Sequence, residues 1–67
     1  MRLISFEVLL EVLKKYGLDH AYEILETLFY EEHFMIINKD EEVIFEPWDT
    51  EDIFNFLENL CEKELEP

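Results

Sequence analysis

Eighteen acidic side chains stand against five basic ones in this chain of 67 residues, a formal net charge of −13. An imbalance of that size keeps a polypeptide unfolded when its apolar content is low. Here 49% of the residues are hydrophobic and 15% aromatic, with one Gly and two Pro. The chain therefore has the means to fold, and whatever it folds into must hold its acids at the surface around an apolar interior.

At this length a single domain spanning residues 1–67 is expected. A domain of about 60 residues buries only about 60% of its unfolded surface, so its stability margin is thin. Disulfides, a metal or oligomerisation usually supplement such a core. Cys61 is the only cysteine, which excludes an intrachain disulfide and points to a reducing, cytoplasmic setting. Direct binding to nucleic acid needs Lys and Arg in place of condensed counterions, and this surface would repel a polyanion or an anionic membrane. Met1–Ile4 followed by Val8–Leu10 loosely imitates a secretory leader. Glu7 and Glu11 interrupt the apolar run, and no small-residue cleavage site follows before Lys14 and Lys15.

Residues 4–16 read as a first helix. Phe6, Leu9, Leu10, Leu13 and Tyr16 recur at helical spacing, Val8 and Val12 widen the stripe, and Glu11 precedes Lys15 at a favourable i,i+4 spacing. Gly17, the single glycine, stands where a helix C-terminal cap belongs. Asp19 is placed to cap a second helix running to about Glu31, with Ala21, Ile24, Leu25, Leu28 and Phe29 on its apolar side. Glu23, Glu26 and Tyr30 occupy the other side. Glu31 and Glu32 set negative charge against the negative end of that helix's dipole.

Phe34–Ile37 and Val43–Phe45 are short, branched and aromatic runs separated by polar residues 38–42, the signature of a β-hairpin. A hairpin alone is marginal in water, so it must lean on helices or pair with another chain. After Pro47, Asp49 or Thr50 begins a third helix with Glu51 and Asp52 in its first turn. Ile53, Phe54, Phe56, Leu57, Leu60, Cys61 and Leu65 form its apolar half. Trp48 suits a hydrophobic staple at the start of this helix; the alternative is an exposed recognition anchor beside the acids, and the staple is favoured. The expected class is α+β, mostly helical, in the order helix, helix, hairpin, helix.

Catalytic chemistry finds no footing in this pattern. Close acid pairs are inevitable among eighteen carboxylates, Ser5 is the only serine, and one glycine cannot build a phosphate loop. His20, His33 and Cys61 lack the paired spacing of a zinc site, and Asp40–Glu42 lacks the alternating oxygens of a calcium loop. No catalytic residue, metal ligand or cofactor is assigned.

The distribution of charge is more informative. Arg2, Lys14 and Lys15 against Glu7 and Glu11 give the first sixteen residues +1. Lys39 and Lys63 against sixteen acids give the remainder −14. Solubility alone asks for a magnitude of about 2–8 in a small domain. An acidic surface attracts a basic partner and speeds encounter, and the commonest strongly basic protein surfaces bind nucleic acid. Acids at i and i+4 on a helix are about 6 Å apart in rise, a spacing of the order found along a nucleic-acid backbone. In size and charge the chain is similar to small acidic inhibitors of DNA-handling machinery made by phages and mobile elements. No motif places it in a named family, and no functional residue is carried over.

The expectation is a non-enzymatic inhibitor of the DNA-mimic type, meeting its partner through Glu23, Glu26, Tyr30, Glu31, Glu32, Asp40, Glu41, Glu42, Asp49, Glu51 and Asp52. The alternative is a small structural or adaptor subunit that docks through apolar contacts. In either case a homodimer is expected where apolar area is largest and repulsion smallest. That place is the first helix, through Ile4, Val8, Leu9, Val12, Leu13 and Tyr16.

Overall fold

The computed structural model describes the backbone of residues 2–65 and the side chains of residues 2–63. Its elements are β1 (Arg2–Ser5), α1 (Phe6–Tyr16), α2 (Leu18–Glu31), β2 (Phe34–Ile37), β3 (Val43–Phe45) and α3 (Thr50–Leu60). A π-helical stretch, Cys61–Leu65, continues α3. The α+β class and the order helix, helix, hairpin, helix are as read from the sequence. The side chain of Leu65, assigned there to the apolar half of the third helix, lies outside the described residues.

The main correction is at the start of the chain. Arg2–Ser5 is a strand and the first helix begins at Phe6, two residues later than its periodicity suggested. The strand is parallel to β2, pairing Arg2 with Phe34 through Ser5 with Ile37. A four-residue strand whose partner lies some thirty positions away leaves no local alternation by which to recognise it. β3 adds antiparallel to the other side of β2, giving the sheet order β1-β2-β3.

Gly17 joins the two helices at φ 89° and ψ 171°. Its N–H donates to Leu13 O at 2.9 Å and its carbonyl accepts from Ala21 N at 3.0 Å, so one residue closes α1 and opens α2. Asp19 falls inside the first turn of α2 and caps nothing, because Gly17 holds the N-cap position. Asp49 does cap α3, accepting the N–H of Asp52 at 2.9 Å.

The period of two in β2 separates the faces of the sheet: Phe34 and Ile36 are buried, Met35 and Ile37 half-buried. By register Ile4 and Phe45 share the helix-covered face with Ile36, while Leu3 and Val43 share the other with Met35 and Ile37. That second face is open to solvent, with Leu3 57% and Val43 50% exposed. The covered face joins Leu9 and Leu13 of α1, Ala21 and Leu25 of α2, and Ile53, Leu57 and Leu60 of α3 in one core. Among the described residues no charged or polar side chain is buried. The acids therefore keep their water, as the charge imbalance requires.

Candidate partner-binding surface

The acids assigned to a partner surface fall into separate groups. Asp40, Glu41 and Glu42 lie in the hairpin loop, at the far end of β2 from His33, roughly 13 Å of strand away. Asn38 organises this loop: its side-chain oxygen accepts from the N–H groups of Asp40 and Glu42, both at 2.9 Å. Glu31 and Glu32 mark the end of α2, where no basic residue of the helix itself answers the dipole. β1 supplies one instead, bringing Arg2 Nε to 3.6 Å from Glu32. Both side chains are about half exposed, so the pair adds little stability.

The remaining acids lie on α2 and at the start of α3, two helices that pack on each other. Tyr22 of α2 meets Phe54 of α3 edge to face, ring centroids 5.5 Å apart. Its hydroxyl donates to Glu26 at 2.9 Å, which pushes the phenol above its ordinary pKa, while Thr50 acts on it in the opposite direction. Glu26 is thereby tied to the end of α3 that begins with Asp49, Glu51 and Asp52, and Glu23 is exposed on the same helix as Glu26. Further along the same seam His33 lies 2.8 Å from Glu46 and its ring is 6.2 Å from that of Trp48.

Of the two sequence readings of Trp48, the favoured staple fails and the exposed position holds. Trp48 staples nothing: its side chain is 77% exposed, and Pro47 is the residue that buries itself beside α3. The Trp48 backbone is nonetheless fixed, its N–H donating to Asp52 Oδ2 at 3.0 Å. Asp52 reaches past the N-cap residue to the one before it, a displaced form of the capping box. Tyr30 is nearly as exposed, at 73%. The presence of Trp in a Pro-Trp-Asp junction was the only signal in the sequence, and it fits a staple equally well.

The residues assigned to a dimer interface also divide. Leu9 and Leu13 belong to the core, at 2% and 1% exposed, and Leu9 reaches only the floor of the groove that Val8 and Val12 line. Their spacing matched that of Val8 and Val12, and the difference arises from the sheet and α2 covering one side of α1. Ile4, Val8 and Val12 remain, lining with Arg2, Ile24 and Leu28 an apolar groove of about 170 Å³ between β1, α1 and α2. Tyr16 lies at the end of α1, its ring 5.1 Å from His20, with Lys15 Nζ 5.3 Å from its centroid.

Among the described residues no group of three His, Cys, Asp or Glu side chains is placed to hold a metal ion. No helix among them is long and apolar enough to cross a membrane. No protein-family model, curated protein or solved structure matches the chain.

Proposed function

We propose that the protein is a non-enzymatic acidic binding protein that occupies a basic, nucleic-acid-binding surface of a partner protein, working in the cytoplasm as an inhibitor of the kind phages and mobile elements make. The observation that carries this reading is that Tyr22 joins Glu26 of α2 to the start of α3, where Asp49 and Asp52 are fixed by hydrogen bonds, with Glu23 and Glu51 exposed on the same two helices. Several of these carboxylates are held by hydrogen bonds within the chain. Fixed negative charges cost less to order on binding than mobile ones, and they steer a basic surface into place.

The test is capture of the partner at low and high salt, with DNA and RNA as competitors. Glu23→Lys and Glu51→Lys change exposed positions with no intrachain hydrogen bond to lose. The double variant should fold normally and fail to capture the partner. Retention of the partner by that variant, or indifference to nucleic acid, would overturn the reading.

A second reading, a homodimeric adaptor that docks through apolar contacts, is favoured by the open sheet face and by the groove beside Val8. It predicts salt-tolerant association. Light scattering that gives a monomer at tens of micromolar, for the wild type and for Leu3→Ser alike, would remove it.

A further inference from the structure

Trp48 and Tyr30 are the two most exposed large hydrophobic side chains among the described residues. They are ends of one aromatic series: Tyr30 to Phe29 is 6.2 Å between centroids, Phe29 to His33 6.4 Å, and His33 to Trp48 6.2 Å. An indole left in water on an otherwise acidic surface is costly to maintain and is the commonest kind of binding anchor. The carboxylates near it are set in place by the chain. Glu46 meets His33 through Oε2, Asp49 caps α3 through Oδ1, and Asp52 holds the Trp48 N–H through Oδ2. Each uses one oxygen in these bonds and has a second for a ligand.

We infer that Trp48 is the anchor for an arginine side chain of the partner, its guanidinium stacked on the indole and its N–H groups shared among Glu46, Asp49 and Asp52. This deepens the acidic-surface reading above and rests on it. Charge complementarity selects a cation, and the combination of a flat π-face with fixed carboxylates selects arginine over lysine. The guanidinium is planar and weakly hydrated, and its forked donors match carboxylates, whereas an ammonium is a compact, strongly hydrated point charge. No lysine or arginine of the described residues is placed at this position: His33 is the one side chain able to carry positive charge beside the indole, and the one cation–π contact is Lys15 over Tyr16, on α1. The buried ring of Pro47 and the Trp48–Asp52 bond fix the backbone beneath the indole, so little order remains to be imposed on binding.

Trp48 is the only tryptophan, so its own emission reports on the site. The probes are hexa-arginine and hexalysine peptides, titrated into the full chain at low salt by fluorescence and by calorimetry. The expected result is a change in Trp48 emission with hexa-arginine and an affinity about three- to tenfold above that of hexalysine. Trp48→Leu should remove that preference and weaken hexa-arginine by a similar factor, while Trp48→Phe retains part of it. Circular dichroism serves as the folding control, since the exposed ring supports no core residue. Equal binding of hexa-arginine to wild type and Trp48→Leu, with unchanged emission, would overturn the anchor and leave the acidic-surface reading standing. Absence of binding by either peptide would overturn both.

Discussion

The rings of Phe45 and Phe56 lie 4.0 Å apart between centroids and within 4° of parallel. This contact ties the last residue of the hairpin to the middle of α3, and it explains how a strand of three residues persists at a sheet edge. Phe45 also shares a register position with Ile36, which is fully buried. Stacked aromatic pairs contribute about 0.5–1.5 kcal/mol beyond the area they bury. Phe45→Ala and Phe56→Ala should each destabilise by about 2–3 kcal/mol, less than a fully buried Phe because both are half exposed. The double variant in urea denaturation should show a coupling of about 1 kcal/mol. Additive losses would show that the stacking contributes nothing of its own.

Gly17 tests backbone conformation separately from packing. A Cβ built there meets nothing within 4 Å, yet φ is 89° and ψ 171°, a region open almost only to glycine. Gly17→Ala should therefore cost about 1–3 kcal/mol although the added methyl has room. Because the residue both ends α1 and starts α2, the loss should appear as cooperative unfolding at lower denaturant, without a separate early transition. An unchanged midpoint would mean that the two helices reach the same packing through another turn.

The contrast between Gly17 and β1 shows what can be read from a chain like this. Gly17, the hairpin and the Asp49 cap are local features, set by residue types within a few positions of one another. β1 depends on a partner some thirty residues away, and its Leu3 and Ile4 continue the apolar spacing of α1 backwards, so periodicity assigned Ile4 and Ser5 to the helix. The same limit applied to function. The acids were visible individually, but only the packing of α2 on α3 separates Glu26 and Asp49–Asp52 from the hairpin group. Leu9 and Val8 have equal claims to exposure in the sequence; the sheet and α2 decide between them.

In the hairpin loop Glu41 adopts φ 65°, a left-handed conformation that costs a non-glycine residue about 1 kcal/mol. Asn38 compensates by accepting two backbone N–H groups, and its own N–H donates to Glu42 O at 3.0 Å. Glu41→Gly should stabilise the fold by about 0.5–1 kcal/mol, with part of the gain from removing one acid. Asn38→Ala should destabilise by about 1–2 kcal/mol, since two donors lose their partner. Thermal melts of the two single variants check both signs, and a loop that tolerates Asn38→Ala would show that water replaces the side chain.

Cys61 follows α3, half-buried against the core. Burial pushes its thiol pKa up, and Glu58 and Glu62 push it further in the same direction. At a given pH a raised pKa leaves less thiolate, the reactive form. The folded protein should therefore react with iodoacetamide more slowly than a short unfolded cysteine peptide at pH 8, and its pH–rate midpoint should lie above the ordinary value. Adding urea to unfold the chain should bring the rate toward the peptide's. A folded-state rate equal to the peptide's would mean that the thiol is fully hydrated.

Net repulsion makes the stability of the fold dependent on salt. The described residues contain one ion pair with a permanent cation, Arg2 with Glu32, and many carboxylates with no cation beside them. The protein's net charge of −13 is thus mostly uncompensated at short range, and it opposes compaction. At 0.01 M salt the screening length is about 30 Å, comparable with the whole molecule, and at 0.5 M it is only a few Å. Raising salt over that range should stabilise the fold by about 1 kcal/mol or more, a rise in melting temperature of about 4–8 °C. Sodium chloride is the appropriate salt, because sulfate strengthens apolar burial independently of charge. Replacing Glu23 and Glu51 by Gln, both exposed, should raise stability at low salt and have little effect at high salt. A melting temperature flat in sodium chloride would show that the acids are spaced widely enough to ignore one another. That outcome would also weaken the case for a concentrated α2–α3 seam, because charges close enough to attract a basic partner must repel each other when it is absent.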